Sequence, residues 1–199
     1  MRVFVSAWLI LKNKIKVHVE IIMNVIEFVN YYNLIRPSKD EIKESTSSIS
    51  NDITLEVLAF FDLQITSMVI NDEPILDLIE NTNICDTTLS VFQFYNVPPI
   101  KSIRKICSIE EMGELYFNEK TKDITFDGMY EANYVVDIGV TQLEFLQFFL
   151  KYLEISFNRI FRKKSESKRL ISAIELNPVV VNKIEAFKEL LLQEGVDID

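Results

Sequence analysis

Residues 111–126, EMGELYFNEKTKDITF, decide how this chain is read. Glu111-Met112-Gly113-Glu114 has the composition of a turn, Leu115-Tyr116-Phe117 that of a strand, residues 118–122 are a short polar turn, and Ile124-Thr125-Phe126 is strand-like again. Strand, tight turn, strand is the signature of a β-meander. Residues 141–161, TQLEFLQFFLKYLEISFNRIF, follow and read as a helix. Thr141-Gln142-Leu143-Glu144 has the form of a capping box, and Leu143, Phe145, Leu146, Phe149, Leu150, Leu153, Phe157, Ile160 and Phe161 recur at helical spacing. Phe148, Tyr152 and Ile155 widen that stripe, so the helix is buried on more than one side or keeps an interface face. Gly139 is expected to turn the chain ahead of it. The fold class is α+β, an antiparallel β-meander packed against helices in a single domain.

Working outward toward the N-terminus, Val97-Pro98-Pro99 closes an apolar run over residues 89–95, and two adjacent prolines exclude a helix or a central strand there. This places a helical layer over residues 23–96, a sheet over 102–138 and helices over 141–162 and 178–194. Within the layer, residues from Asn24 to Tyr32 have helical spacing and stop at Pro37; Ser38-Lys39-Asp40-Glu41 is another capping box; residues 46–52 are a polar loop. Residues 53–61 read as a helix or a buried strand, residues 64–70 as a strand, and Ile75, Leu76, Leu78 and Ile79 as a short helix. At the far end, Asn177-Pro178 opens an amphipathic helix through Val180, Ile184, Phe187, Leu190 and Leu191, which Gly195 ends.

Residues 1–22 stand apart from this unit. Val3 to Leu11 is apolar but too short to span a bilayer, and Lys12 and Lys14 end it with no small-residue cleavage site after them. The segment is either a hairpin turning at Lys12-Asn13-Lys14 or an extension upstream of a natural start at Met23. His18, the sole histidine, falls on the polar phase of its alternation.

The chain has 199 residues, 48% hydrophobic and 11% aromatic, which suffices for a core and is far from the composition of disordered chains. Its 30 acidic and 21 basic residues give a net charge of -9, which disfavours nonspecific attraction to nucleic acid or anionic membrane and favours a basic partner. Cys85 and Cys107 form no metal-binding or disulfide pattern and read as free thiols. The one local basic run, Arg159, Arg162, Lys163, Lys164, Lys168 and Arg169, reads as a solvated helix end.

No reaction is spelled out. One His and the scattered Gly113, Gly128, Gly139 and Gly195 build neither a histidine triad nor a phosphate loop. Glu110 with Glu111, or Asp123 with Asp127, could do acid/base work, but a chain this acidic produces such pairs by chance. The residues therefore favour a protein that is not an enzyme, with no metal and no cofactor.

Residues 107–126, the following Val135-Val136-Asp137, and the helix carrying Leu143-Glu144-Phe145-Leu146 resemble the SUKH superfamily of bacterial toxin-immunity proteins. The resemblance spans roughly residues 102–162. It implies a cytoplasmic α+β protein that binds and blocks a cognate toxin, often a nuclease, without catalysis of its own. The acidic balance fits such a partner, since a basic nuclease would be drawn in by charge. An acidic face around Glu110, Glu111, Glu114, Asp127 and Glu131 is then the expected contact. Two other readings stay open: a scaffold that self-associates through the 141–161 helix, which would make it a homo-oligomer, and an enzyme with a deep polar pocket.

Overall fold

The structure, a computed structural model, describes residues 24–45, 51–67, 73–87, 89–128, 135–162, 171–172, 174, 176, 178–183 and 185–196. Both alternatives for residues 1–22 lie outside the described residues, with His18.

Helix α1 (Val25–Ile35) starts at Asn24, whose side chain accepts from the Glu27 amide at 2.9 Å while the Glu27 carboxylate accepts from the Asn24 amide. Ser38 and Glu41 repeat the arrangement for α2 (Lys39–Ser45), with bonds of 3.2 and 2.8 Å. Each box satisfies amides that the first turn leaves orphaned. Residues 53–61 resolve as helix: α3 (Asn51–Phe60) takes in Asn51 and Asp52, which the sequence reading placed in a loop. Short polar side chains suit loops and helix starts alike, so composition alone cannot separate the two.

The strand expected over residues 64–70 does not form in its described part. Ile65 alone pairs, in an isolated bridge to Thr82, while the Thr66 amide donates to the Asn81 carbonyl at 2.8 Å. β-branched composition needs a neighbouring ladder to become a strand, and among the described residues none runs beside it. Helix α4 (Pro74–Asn81) and a 3-10 turn (Ile84–Asp86) follow.

The sheet comprises β1 (Phe92–Phe94), β2 (Ile103–Ile109), β3 (Gly113–Asn118), β4 (Asp123–Gly128) and β5 (Val135–Thr141), in chain order with every neighbour antiparallel. Strand β1 lies inside the stretch assigned to the helical layer, so the sheet begins before Pro98-Pro99 and the prolines fall in the β1–β2 connection. Gly139 does not turn the chain either, since it lies within β5. Thr141 makes the transition: as an extended residue (φ -65°, ψ 155°) it ends the strand and caps the helix in one step.

Alternation along the strands gives the sheet two unlike faces. Phe92, Phe94, Cys107, Ile109, Leu115, Phe117 and Ile124 are buried on one side. Helix α5 (Gln142–Phe161) lies at the centre of the packing, in contact with α1, α2, α4, β4 and β5. This selects the packed-central-helix reading of its wide stripe. Phe149 is its hub, with ring centroids 4.8 Å from Phe92, 5.2 Å from Phe94 and 5.9 Å from both Phe28 and Phe145. Helices α6 (Pro178–Lys183) and α7 (Glu185–Gln193) close the core with Val180, Val181, Phe187, Leu190 and Leu191; Asn177 and Ile184 lie outside the described residues.

Candidate functional site

The β2–β3 turn is built by backbone geometry. Ile109 pairs with Gly113, leaving Glu110-Glu111-Met112 as a three-residue loop; the Met112 amide donates to the Ile109 carbonyl at 3.1 Å, and Glu111 takes a left-handed φ of 60°. The Glu110 amide donates to the Val91 carbonyl at 3.0 Å, which ties the loop to the start of β1. Both glutamates are thereby held with exposed side chains.

Here the loop meets α7. Val91, Glu110, Glu111, Met112, Glu189 and Gln193 line an open cleft of about 410 Å³. Three carboxylates face it, with the half-buried Met112 and Val91 as its apolar part. Beside it, Ser90, at a left-handed φ of 58°, approaches the Tyr152 hydroxyl (3.4 Å) and the Ser156 hydroxyl (3.3 Å), and Tyr152 donates to Glu194 at 3.3 Å. Burial, with the Glu194 charge, pushes the Tyr152 phenol up to about 12, so it stays protonated at neutral pH.

Glu114 and Asp127 occupy a different surface. They are partners across β3 and β4 on the sheet face away from the core. Glu114 accepts from the Lys105 ammonium and the Tyr116 hydroxyl, and these two bonds hold its carboxyl below the usual range, so it is ionised at neutral pH. The same carboxylate raises Tyr116 to about 12. Lys105 also lies 4.5 Å over the Tyr95 ring, and the Tyr95 hydroxyl is bonded to Ser108 (2.9 Å) and Gln93 (3.0 Å). Of the five expected contact residues, then, Glu110 and Glu111 line the cleft, Glu114 and Asp127 form a rung of the open sheet, and Glu131 lies outside the described residues. Sequence reading missed Glu189, Gln193 and Val91 because nothing local links α7 or β1 to a turn so far from them along the chain. Tyr116, two residues from Glu114 on the same strand, carried a weak signal; Lys105 carried none, since a register shift between Lys105 and Cys107 breaks the alternation there.

Among the described basic residues, Arg159 pairs with Glu194 at 3.0 Å and Arg162 with Glu41 at 2.8 Å, so both are tied down as structural ion pairs. Lys163, Lys164, Lys168 and Arg169 lie outside the described residues. Cys107 is buried and Cys85 half-buried; both thiols are free, and burial pushes each above its ordinary value, Asp86 adding to the effect at Cys85. A protonated thiol is a poor nucleophile. Among the described residues no group of three or more His, Cys, Asp or Glu is disposed to hold a metal ion, and no helix is long and apolar enough to cross a membrane. No protein-family model, curated protein or solved structure matches the chain.

Proposed function

We propose that this protein is a non-catalytic binding protein of the cytoplasm that captures a basic protein partner, and that the partner is a cognate toxin, such as a nuclease, which it neutralises. The observation that carries the reading is the convergence of Glu110 and Glu111 with Glu189 on one open cleft flanked by Met112 and Val91. A Lys or Arg side chain suits such a site, with its stem along the apolar wall and its charged head among carboxylates. The net charge of -9 extends the attraction beyond contact and speeds capture of a basic partner. The toxin-immunity part rests on the SUKH resemblance.

Self-association through the 141–161 helix finds less support. Eleven of its residues are buried, and of its large apolar side chains Ile160 stands exposed at the C-terminal end.

The test is affinity capture from the native cells with the wild-type chain and with a Glu110→Lys, Glu111→Lys, Glu189→Lys variant of matched melting temperature. The expected result is one stoichiometric basic partner, toxic when expressed alone and lost with the variant. Capture of the same partner by both proteins would refute the cleft, and a partner without toxicity would refute the immunity role.

A further inference from the structure

The connection between β1 and β2 presents apolar side chains to solvent on a backbone of fixed shape. Residues 96–100, Asn96-Val97-Pro98-Pro99-Ile100, are all exposed, Ile100 at 77% and Val97 at 37%, and Ile103 follows at 38%. Each proline ring holds its own φ at about -65°, and a residue that precedes proline is driven out of the helical region. Val97 and Pro98 both precede proline, so this run is driven into the polyproline II conformation. No helix or strand forms over residues 95–99, and among the described residues no backbone amide donates to a carbonyl of residues 96–99. Both ends of the run are nonetheless anchored to β2. The Tyr95 amide donates to the Ile106 carbonyl at 3.0 Å, and Ile100 and Ile103 exchange bonds of 2.8 and 3.0 Å. One turn of polyproline II is thus held clear of the sheet, and its three-residue period brings Val97 and Ile100 to the same side.

We infer that this loop is itself a ligand, which docks into a groove of a partner protein walled by aromatic side chains and rimmed by acidic ones. Aromatic-lined grooves take polyproline II because the prolines pack against the rings, the unbonded carbonyls accept hydrogen bonds, and a segment already in shape loses little freedom on binding. Charge complementarity selects the rim. The Glu119 amide donates to the Ser102 carbonyl at 2.9 Å, which brings the β3–β4 turn alongside the loop. Across residues 95–102 and 118–122 the exposed charges are Lys101, Lys120 and Lys122, the last paired with Glu73; Glu119 is half-buried and held by Arg104 at 3.2 Å. This end of the sheet is therefore positive in a chain whose net charge is -9. The β2–β3 turn with Glu110 and Glu111 lies at the opposite end of the antiparallel meander, so the loop is a contact separate from the cleft and goes beyond the proposed capture of a basic protein.

The experiment titrates the labelled full chain with a purified WW domain and a purified SH3 domain, both aromatic-grooved readers of polyproline II, and with vesicles of phosphatidylcholine and phosphatidylglycerol. Wild type is compared with Pro98→Ala combined with Pro99→Ala, and with Lys101→Glu. The expected result is that at least one domain binds and shifts the amide signals of Asn96, Val97, Ile100 and Lys101 while those of Glu110 and Glu111 stay in place. The alanine pair should bind about tenfold more weakly, because two backbone positions regain freedom. Lys101→Glu should weaken binding and flatten its salt dependence. If the alanine pair melts below wild type, a free peptide of residues 94–103 and its alanine version, used as competitors against the wild-type chain, read the same preference without the fold. The inference is overturned if neither domain binds, if the alanine pair binds as well as wild type, if Lys101→Glu leaves binding unchanged, or if the shifts fall in the cleft. Binding to vesicles and to neither domain would assign the loop to a lipid surface and overturn it too.

Discussion

The rings of Phe148 and Phe187 stack face to face, with centroids 3.9 Å apart and planes 8° from parallel. This contact joins the central helix α5 to α7, and α7 carries Glu189 and Gln193 into the cleft. Core packing and the candidate site therefore share the helix α7. Phe187→Ala should destabilise the protein by about 3–5 kcal/mol, the range for truncating a buried phenylalanine, and Phe187→Leu by less. Urea unfolding measures both, and capture of the basic partner should decline in the same order as α7 loosens.

Gly113 sits where the backbone of β4 comes close. A Cβ there would collide with the Asp127 carbonyl oxygen and stand 2.9 Å from the Gly128 Cα. Backbone cannot move aside as a flexible side chain can, so Gly113→Ala should cost about 1–3 kcal/mol, as forced overpacking does. Urea unfolding checks it, and Glu110 and Glu111 should show shifted amide signals in the folded variant.

The β1–β2 connection turns through Lys101 (φ 53°) and Ser102 (φ 72°), flanked by reciprocal bonds between Ile100 and Ile103 of 2.8 and 3.0 Å. A two-residue hairpin loop with both residues left-handed favours Asn-Gly, whereas a lysine there is strained. Replacing the pair by Lys101→Asn with Ser102→Gly should raise stability by about 1 kcal/mol, the relief of left-handed strain outweighing the extra freedom that glycine gives the unfolded chain. A melting temperature equal to or below that of wild type would contradict this account of the turn.

Acid should destabilise the fold through its caps. Burial raises the Glu144 carboxyl, but the Lys183 ammonium at 2.7 and 2.9 Å and the Thr141 amide outweigh burial and leave it below the usual range; Glu41 is lowered in the same way, with Ser38 and Arg162 overcoming burial. A depressed carboxyl contributes stability that is complete above its unfolded value, about pH 4, and is lost as pH falls through the folded value. Melting temperature should therefore drop on acidification below that point. Glu144→Gln should melt lower at neutral pH and show a shallower acid drop.

The meander and both predicted capping boxes were legible because each is a local pattern: period-2 alternation with polar turns over residues 111–126, and Ser38/Glu41 and Thr141/Glu144 three apart. Strand β1 was not legible, since three residues become a strand only when β2 pairs with them. Gly139 misled for the opposite reason: it lies inside β5, in the stretch where the β4–β5 register shifts between Ile124 and Phe126, and the turn into the helix comes at Thr141. The site divided in the same way. Composition alone marked Glu110, Glu111, Glu114 and Asp127 as acids near one turn, yet the chain's own alternation sends Glu114 and Asp127 to the open face.

The sequence by itself determined most of the helices, the caps at Ser38 and Thr141 and the meander around residues 111–126, because those depend on contacts between residues a few positions apart or in successive strands. Only the tertiary structure decided that α5 lies buried at the centre and that Glu189 meets Glu110 and Glu111 in one cleft. Those are pairings across distant segments, and they are fixed by how Phe149 and Phe187 bury against the rest of the core, which no local pattern encodes.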